Sequence, residues 1–198
     1  MREEHQYMVN EIFYSLQGEG RWAGRAAIFI RFSGCNLKCP FCDTDFRSYD
    51  LMTAKDILKE LLSYSECNFV VLTGGEPTLQ VTKEFVDMLH SNGYYVAMET
   101  NGTRDVPYNI DWVTVSPKSA YVTNGGVWVR EAEEVKVVYD GVHEPDTFGI
   151  KAEEYYIQPC DTGQPQQNRI IIQKCIEWVK KHPEWKLSLQ QQKIINVR

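Results

Sequence analysis

The chain has 198 residues, a formal net charge of −6 and 43% hydrophobic residues, which suits one folded domain and excludes wholesale disorder. The acidic balance argues against a broad electrostatic grip on nucleic acid, and no stretch approaches the roughly 18 apolar residues of a membrane span. The opening MREEHQYMVNEIFYS lacks the apolar run of a signal peptide, so the expectation is a cytoplasmic protein whose six cysteines act as ligands or nucleophiles before disulfides.

Residues 8–15 and 26–33 have strand character, with the glycine-rich QGEGRWAGR between them as a turn or hairpin. After a cysteine-bearing loop, TAKDILKELLSY opens with Thr53 as N-cap and repeats apolar residues at helical spacing. Residues 69–72 form a short apolar run that ends in TGGEPTL and reads as a buried strand. Residues 81–90 are helical in pattern, stopped by Asn92-Gly93. Further strands are expected at 94–98, ending in ETNGT, and at 112–115, ending in SPK. The stretch from 115 to 134 has no helical period, and its Asn124-Gly125-Gly126 suggests a hairpin. Strands at 134–139 and 155–157, a helix over 168–180 with Ile171, Ile172, Cys175, Ile176 and Val179 on one stripe, and a last strand at 187–189 complete the chain.

Strands alternating with helices imply a mainly parallel sheet in an α/β fold. Polar loops recur after the apolar strands, and in a barrel-like α/β fold such loops gather into one site. At this length the barrel is expected to be partial and TIM-like, with about six core parallel strands and fewer helices than strands. No linker or repeat interrupts it, so residues 1–198 read as a single domain with an N-terminal hairpin extension.

The chemistry centres on GCNLKCPFCDTD, where Cys35, Cys39 and Cys42 form a C-x3-C-x2-C array. Chance placement of six cysteines yields this triple roughly 0.005 times in such a chain, so the pattern reads as built. A zinc knuckle needs a fourth ligand from Cys67, Cys160, Cys175 or a histidine, and none of these sits in a second paired motif. Three thiolates match an iron–sulfur cubane better, leaving one iron open for a chelating cofactor. Pro40-Phe41 restricts the turn and offers an aromatic face to a bound base.

The array followed by GGEP resembles the radical S-adenosylmethionine (SAM) superfamily. NEIFYSLQGEG, RFSGCNLKCPFCDTD, TGGEP, ETNGT, SPK, the late QP and LSLQQQK, in that order, resemble the QueE family of 7-carboxy-7-deazaguanine synthases, from about Val9 to the C-terminus. That resemblance implies a radical SAM lyase converting 6-carboxy-5,6,7,8-tetrahydropterin to 7-carboxy-7-deazaguanine with loss of ammonia, on the way to queuosine and related 7-deazapurines. It implies a 4Fe–4S cluster on Cys35, Cys39 and Cys42, SAM, and Mg²⁺ with Thr44 as its protein ligand. A 5′-deoxyadenosyl radical is expected to take hydrogen from the substrate's C6 before ring contraction.

The resemblance further places SAM against Phe41, Cys42, Asp43, Gly75, Glu76, Glu99, Asn101, Ser116, Pro117, Lys118 and the run Gln158, Pro159, Cys160, Asp161. It places the pterin against Leu16, Gln17, Gly18, Glu19, Arg31, Thr73 and the C-terminal Arg198. Arg31 suits a substrate carboxylate as a planar fork, and an amide with a carboxylate can read a 2-amino-4-oxo ring. A homodimer is implied, with an electron donor such as flavodoxin or ferredoxin and no nucleic-acid or membrane partner. Cys67, Cys160 and Cys175 read as structural, and the four histidines lie in exposed-looking contexts. Two other functions fit the array: a glycyl-radical activating enzyme, and a non-catalytic metal-binding or electron-transfer module.

Overall fold

The computed structural model describes residues 5–45 and 47–197. Strands β1 (Gln6–Leu16), β2 (Ala26–Phe32), β3 (Asp50–Thr53), β4 (Phe69–Gly74), β5 (Tyr95–Thr100), β6 (Trp112–Val115), β7 (Glu131–Tyr139), β8 (Lys151–Pro159) and β9 (Trp185–Leu187) form one sheet in the order β3-β1-β2-β4-β5-β6-β7-β8-β9. The seven strands from β2 to β9 run parallel. β1 pairs antiparallel with both β2 and β3 and extends the sheet at its N-terminal edge. The expected six core strands are thus joined by a seventh, the three-residue β9.

Side-chain alternation divides the sheet into two faces. Ile28, Ile30 and Phe32 of β2, Val70 and Leu72 of β4, and Val96 and Met98 of β5 pack against helices α1 (Ala54–Leu61) and α2 (Lys83–Ser91). Val135, Val137 and Ile157 continue that face under α3 (Pro165–Lys181) with Ile171 and Cys175. The alternate residues Phe29, Val71, Ala97 and Trp112 form a separate cluster on the other face.

Each helix begins and ends for local reasons. Thr53 caps α1 reciprocally: its Oγ1 accepts from Asp56 N at 3.2 Å, and Asp56 Oδ2 accepts from Thr53 N at 2.9 Å. Ile57 and Leu61, four residues apart, bury the helix's apolar stripe. Thr82 caps α2, and Asn92-Gly93 ends it with Gly93 at φ 82°. Pro165 occupies the first turn of α3, where its missing N–H costs nothing.

Four details differ from the sequence expectation. The 115–134 stretch contains no hairpin, because β6 and β7 are parallel neighbours and the chain must cross between them. Tight turns do this instead: the Lys118 carbonyl accepts from Tyr121 N and Val122 N, and Asn124 Nδ2 donates to Asn36 O in the cysteine loop at 3.0 Å. The last strand lies at 185–187 rather than 187–189. Two short elements, β3 and α4 (Gln191–Ile194), carry too little pattern to be read from sequence. QGEGRWAGR is also more than a turn. Its Trp22 lies 5.5 Å from the ring of Phe69, 5.9 Å from Tyr95 and 5.5 Å from Trp112, the first residues of β4, β5 and β6. It seals the N-terminal end of the polar face and leaves the C-terminal end for the loops.

Candidate active site

The signature loops leave the C-terminal ends of the parallel strands and surround a cavity of about 500 Å³, a size suited to a cofactor and a small substrate. The cysteine loop follows β2 directly. It is joined to the loop after β4 by backbone bonds: Gly75 N donates to Phe32 O at 3.0 Å and Glu76 N to Gly34 O at 2.9 Å. A Cβ on Gly75 would sit 1.9 Å from Gly34 O, and one on Gly74 2.2 Å from Phe32 O. Only glycine permits two backbones to run this close. GG therefore fastens the two loops together as well as opening backbone to the cavity.

All six cysteines are free thiols. Cys35, Cys39 and Cys42 all line the cavity, and burial pushes the thiols of Cys35 and Cys39 up. Lys118 stands nearby with its Nζ donating to Ser116 O and Oγ, both at 2.6 Å, and burial pulls its ammonium down to about 8. Phe41 packs edge-on against Tyr121 with ring centres 4.7 Å apart. Tyr121 is anchored by its hydroxyl to Val138 O at 2.7 Å.

Glu76 is fully buried and does not line the cavity. Its Oε1 accepts from Thr78 N, Thr78 Oγ1 and Thr100 Oγ1, and its Oε2 from Asn101 N at 2.8 Å. The carboxylate thus ties the loop after β4 to the loop after β5. Asn101 in turn donates through Nδ2 to Asn36 Oδ1 at 3.0 Å, reaching the cysteine loop. Three signature loops are thus locked to one another.

The sheet's polar face supplies the cavity floor. Arg31 and Thr73 are register partners on β2 and β4. Arg31 Nε donates to Glu11 Oε1 at 2.8 Å, with both side chains about a quarter exposed at 23% and 24%. Glu19 enters from the β1–β2 connection. Its Oε2 accepts from Lys136 Nζ at 2.6 Å and Gln158 Nε2 at 3.1 Å, and its Oε1 from Gln190 and Gln192 at 3.0 Å each. Burial, the largest single influence, would raise its carboxyl, but the Lys136 charge together with the hydrogen bonds from Lys136, Gln190 and Gln192 holds it below the usual range.

Every residue singled out from sequence within the described chain lines this cavity, except Glu76 and Pro117. Arg198 lies outside the described residues. The cavity also holds residues not assigned a role from the sequence, among them Lys136, and Gln190, Gln192 and Lys193 of the LSLQQQK motif. Lys136 had a visible signal, a charge within the apolar alternation EEVKVVY. Lys193 bridges Asp43 Oδ2 at 2.8 Å and Asp161 Oδ2 at 3.0 Å, linking the C-terminal segment to the cysteine loop and to the loop after β8.

A parallel sheet with three thiols on the loop after its first parallel strand defines a radical SAM core, and the family model for the Radical SAM superfamily matches residues 29–142. The chain is 46% identical over 190 residues to the 7-carboxy-7-deazaguanine synthase of Bacteroides thetaiotaomicron, covering 96% of this chain and 98% of that protein. It is 38% identical to the one of Bradyrhizobium diazoefficiens, covering 97% and 99%. The crystal structure of QueE from Escherichia coli superimposes with a TM-score of 0.72 at 29% identity, covering 94% of each chain. The chain belongs to the 7-carboxy-7-deazaguanine synthase family of the radical SAM superfamily.

The cofactors of that superfamily are a 4Fe–4S cluster and SAM, and the residues present fit them. Three free thiols on one loop are soft donors. The backbone of Gly74 and Gly75 borders the same cavity without side chains in the way. No helix is long and apolar enough to cross a membrane among the described residues.

Proposed function

We propose that the chain converts 6-carboxy-5,6,7,8-tetrahydropterin to 7-carboxy-7-deazaguanine with release of ammonia. The observation that carries this reading is the meeting of two sets of groups in one cavity. Three thiols line it together with Gln17, Glu19 and Arg31. The family relation at 46% identity supports it. A glycyl-radical activating enzyme must admit a protein segment, whereas this cavity presents a carboxylate, an amide and a guanidinium suited to a small zwitterionic ring.

Cys35, Cys39 and Cys42 would hold the cluster, whose chemistry with SAM is to generate the radical that starts the rearrangement. The chain's own groups bind and orient. Arg31, braced by Glu11, meets the substrate carboxylate as a charge-assisted donor. Glu19 and Gln17 offer acceptors and a donor to the pyrimidinone edge. Lys118 and Ser116 border the SAM side together with Glu99 and Asn101. Glu76 acts by holding the loops after β4 and β5 in register. Thr44 would give magnesium one hard oxygen ligand beside the substrate carboxylate. A low-potential donor such as flavodoxin or ferredoxin would reduce the cluster, and the active species would be a cytoplasmic homodimer, as in the family.

Anaerobically reconstituted enzyme with SAM, a reductant and the carboxypterin, run with and without Mg²⁺, tests the reading. The expected products are 7-carboxy-7-deazaguanine and ammonia in equal amounts. Deoxyadenosine without deazaguanine would overturn it.

A further inference from the structure

One buried cation has no part in the roles above. Lys136, on β7 between Val135 and Val137, is 3% exposed, and its Nζ donates to Glu19 Oε2 at 2.6 Å and Glu99 Oε2 at 3.1 Å. The other oxygen of Glu99 accepts from Gln17 Nε2 at 2.9 Å. Gln17 Oε1 then accepts from the backbone N of Glu19 at 3.1 Å. Lys136, Glu99, Gln17 and Glu19 thus close a ring of hydrogen bonds. The ring spans the β1–β2 connection, β5 and β7.

Closure determines orientation. Gln17 can satisfy both neighbours only with Nε2 toward Glu99 and Oε1 toward Glu19, so the ring selects which amide atom faces which way. Lys136 is set rigidly, since its strand is paired on both sides and its neighbours Val135 and Val137 pack into the opposite face. Without it, Glu19 and Glu99 would be two carboxylates turned toward each other with no cation between them. Glu134, two residues back on the same face, adds a third acidic group, its proton held more tightly by burial.

We propose that Lys136 is a positioning residue that sets Glu19 and Glu99 together, coupling the pterin side of the cavity to the SAM side. It rests on the functional reading above for which ligand each carboxylate meets. Remote binding groups can fix a reacting centre only when held rigidly, and a buried, doubly paired ammonium does this better than a surface one.

The test is a double-mutant cycle on equilibrium binding, measured on reconstituted holoenzyme without turnover. Lys136→Met is expected to weaken carboxypterin binding about ten- to a hundredfold. It is also expected to weaken SAM binding. Added to Glu19→Gln, it should cost less than about threefold more, because both act through one group. A lysine needed only for folding would lower Tm and leave both Kd values within about twofold, which would overturn the proposal. Additive losses would overturn it too. If Lys136→Met does not fold, Glu99→Gln carries the test. Weaker carboxypterin binding in that variant supports the ring, and unchanged binding overturns it. A wild-type enzyme that binds no carboxypterin overturns the functional reading instead. The cycle is then run on SAM between Lys136 and Glu99, where additive losses contradict the role of Lys136.

Discussion

Strands β2, β4 and β5 show two chemistries back to back. Toward the helices they present Ile28, Ile30, Phe32, Val70, Leu72, Val96 and Met98, all 0% exposed. On the other face the same strands present Phe29, Arg31, Val71, Thr73, Ala97 and Glu99, of which Phe29, Arg31, Thr73 and Glu99 line the cavity. The first face excludes water from groups that need no partner, so it adds stability roughly in proportion to area. The second face holds charges that burial penalises, and each needs a partner: Arg31 with Glu11, Glu99 with Lys136 and Gln17. Such pairs are a weak source of stability. Their placement at the ends of stiff strands makes sense for binding, where fixed geometry matters more than net energy.

Where the two faces meet at the loops, the largest effect is expected. Gly75→Ala drives a methyl group into Gly34 O and should part the cysteine loop from the loop after β4. Iron content after reconstitution and turnover should both fall to background. On the helix side, Leu72→Ala should cost about 2–5 kcal/mol of stability while leaving the KM of folded enzyme unchanged. Denaturant unfolding beside steady-state kinetics separates the two. On the cavity side the signs should reverse. Arg31→Met should cost about 1.5–3 kcal/mol of carboxypterin binding, with little loss of stability. A Leu72→Ala enzyme with altered KM, or an Arg31→Met enzyme with normal KM, would break the division.

Two smaller effects sharpen it. Asp161 is held down to about 2 by the N–H of Gly163, by Lys193 and by Asn168. Its folded value lies below its unfolded one, so its contribution is present above about pH 4. It is lost as pH falls through about 2. The Tm gap between wild type and Asp161→Asn should therefore close over that window. Cys175, buried on the helix side, is pushed up to about 12, whereas Cys42 is exposed. A maleimide at neutral pH should label Cys42 in the cluster-free protein and leave Cys175 unmodified in the folded state.

What could be read from the sequence follows the same division. The helix-side strands announce themselves as apolar runs, and α1 and α2 carry capping residues at Thr53 and Thr82, so their bounds were recovered within a few residues. The cysteine array and the order of loop motifs were legible because they are local in sequence. The ring through Lys136 was not, because its members come from residues 17, 19, 99 and 136 and meet only after the sheet forms. The crossing from β6 to β7 misled because Asn-Gly is a strong hairpin signal, while here Asn124 bonds the cysteine loop instead. Glu76 in GGEP suggested contact with a ligand, and its four hydrogen bonds make it a brace between loops.

We propose that the cluster belongs to the loop after β2 and to no other thiol. Iron and sulfide per chain, measured after anaerobic reconstitution of the six single cysteine-to-alanine variants, tests it most directly. About four irons and four sulfides are expected in the wild type and in the Cys67, Cys160 and Cys175 variants. Little of either is expected in the Cys35, Cys39 and Cys42 variants. Stoichiometric zinc in the wild type, or loss of iron on replacing Cys67 or Cys175, would contradict it.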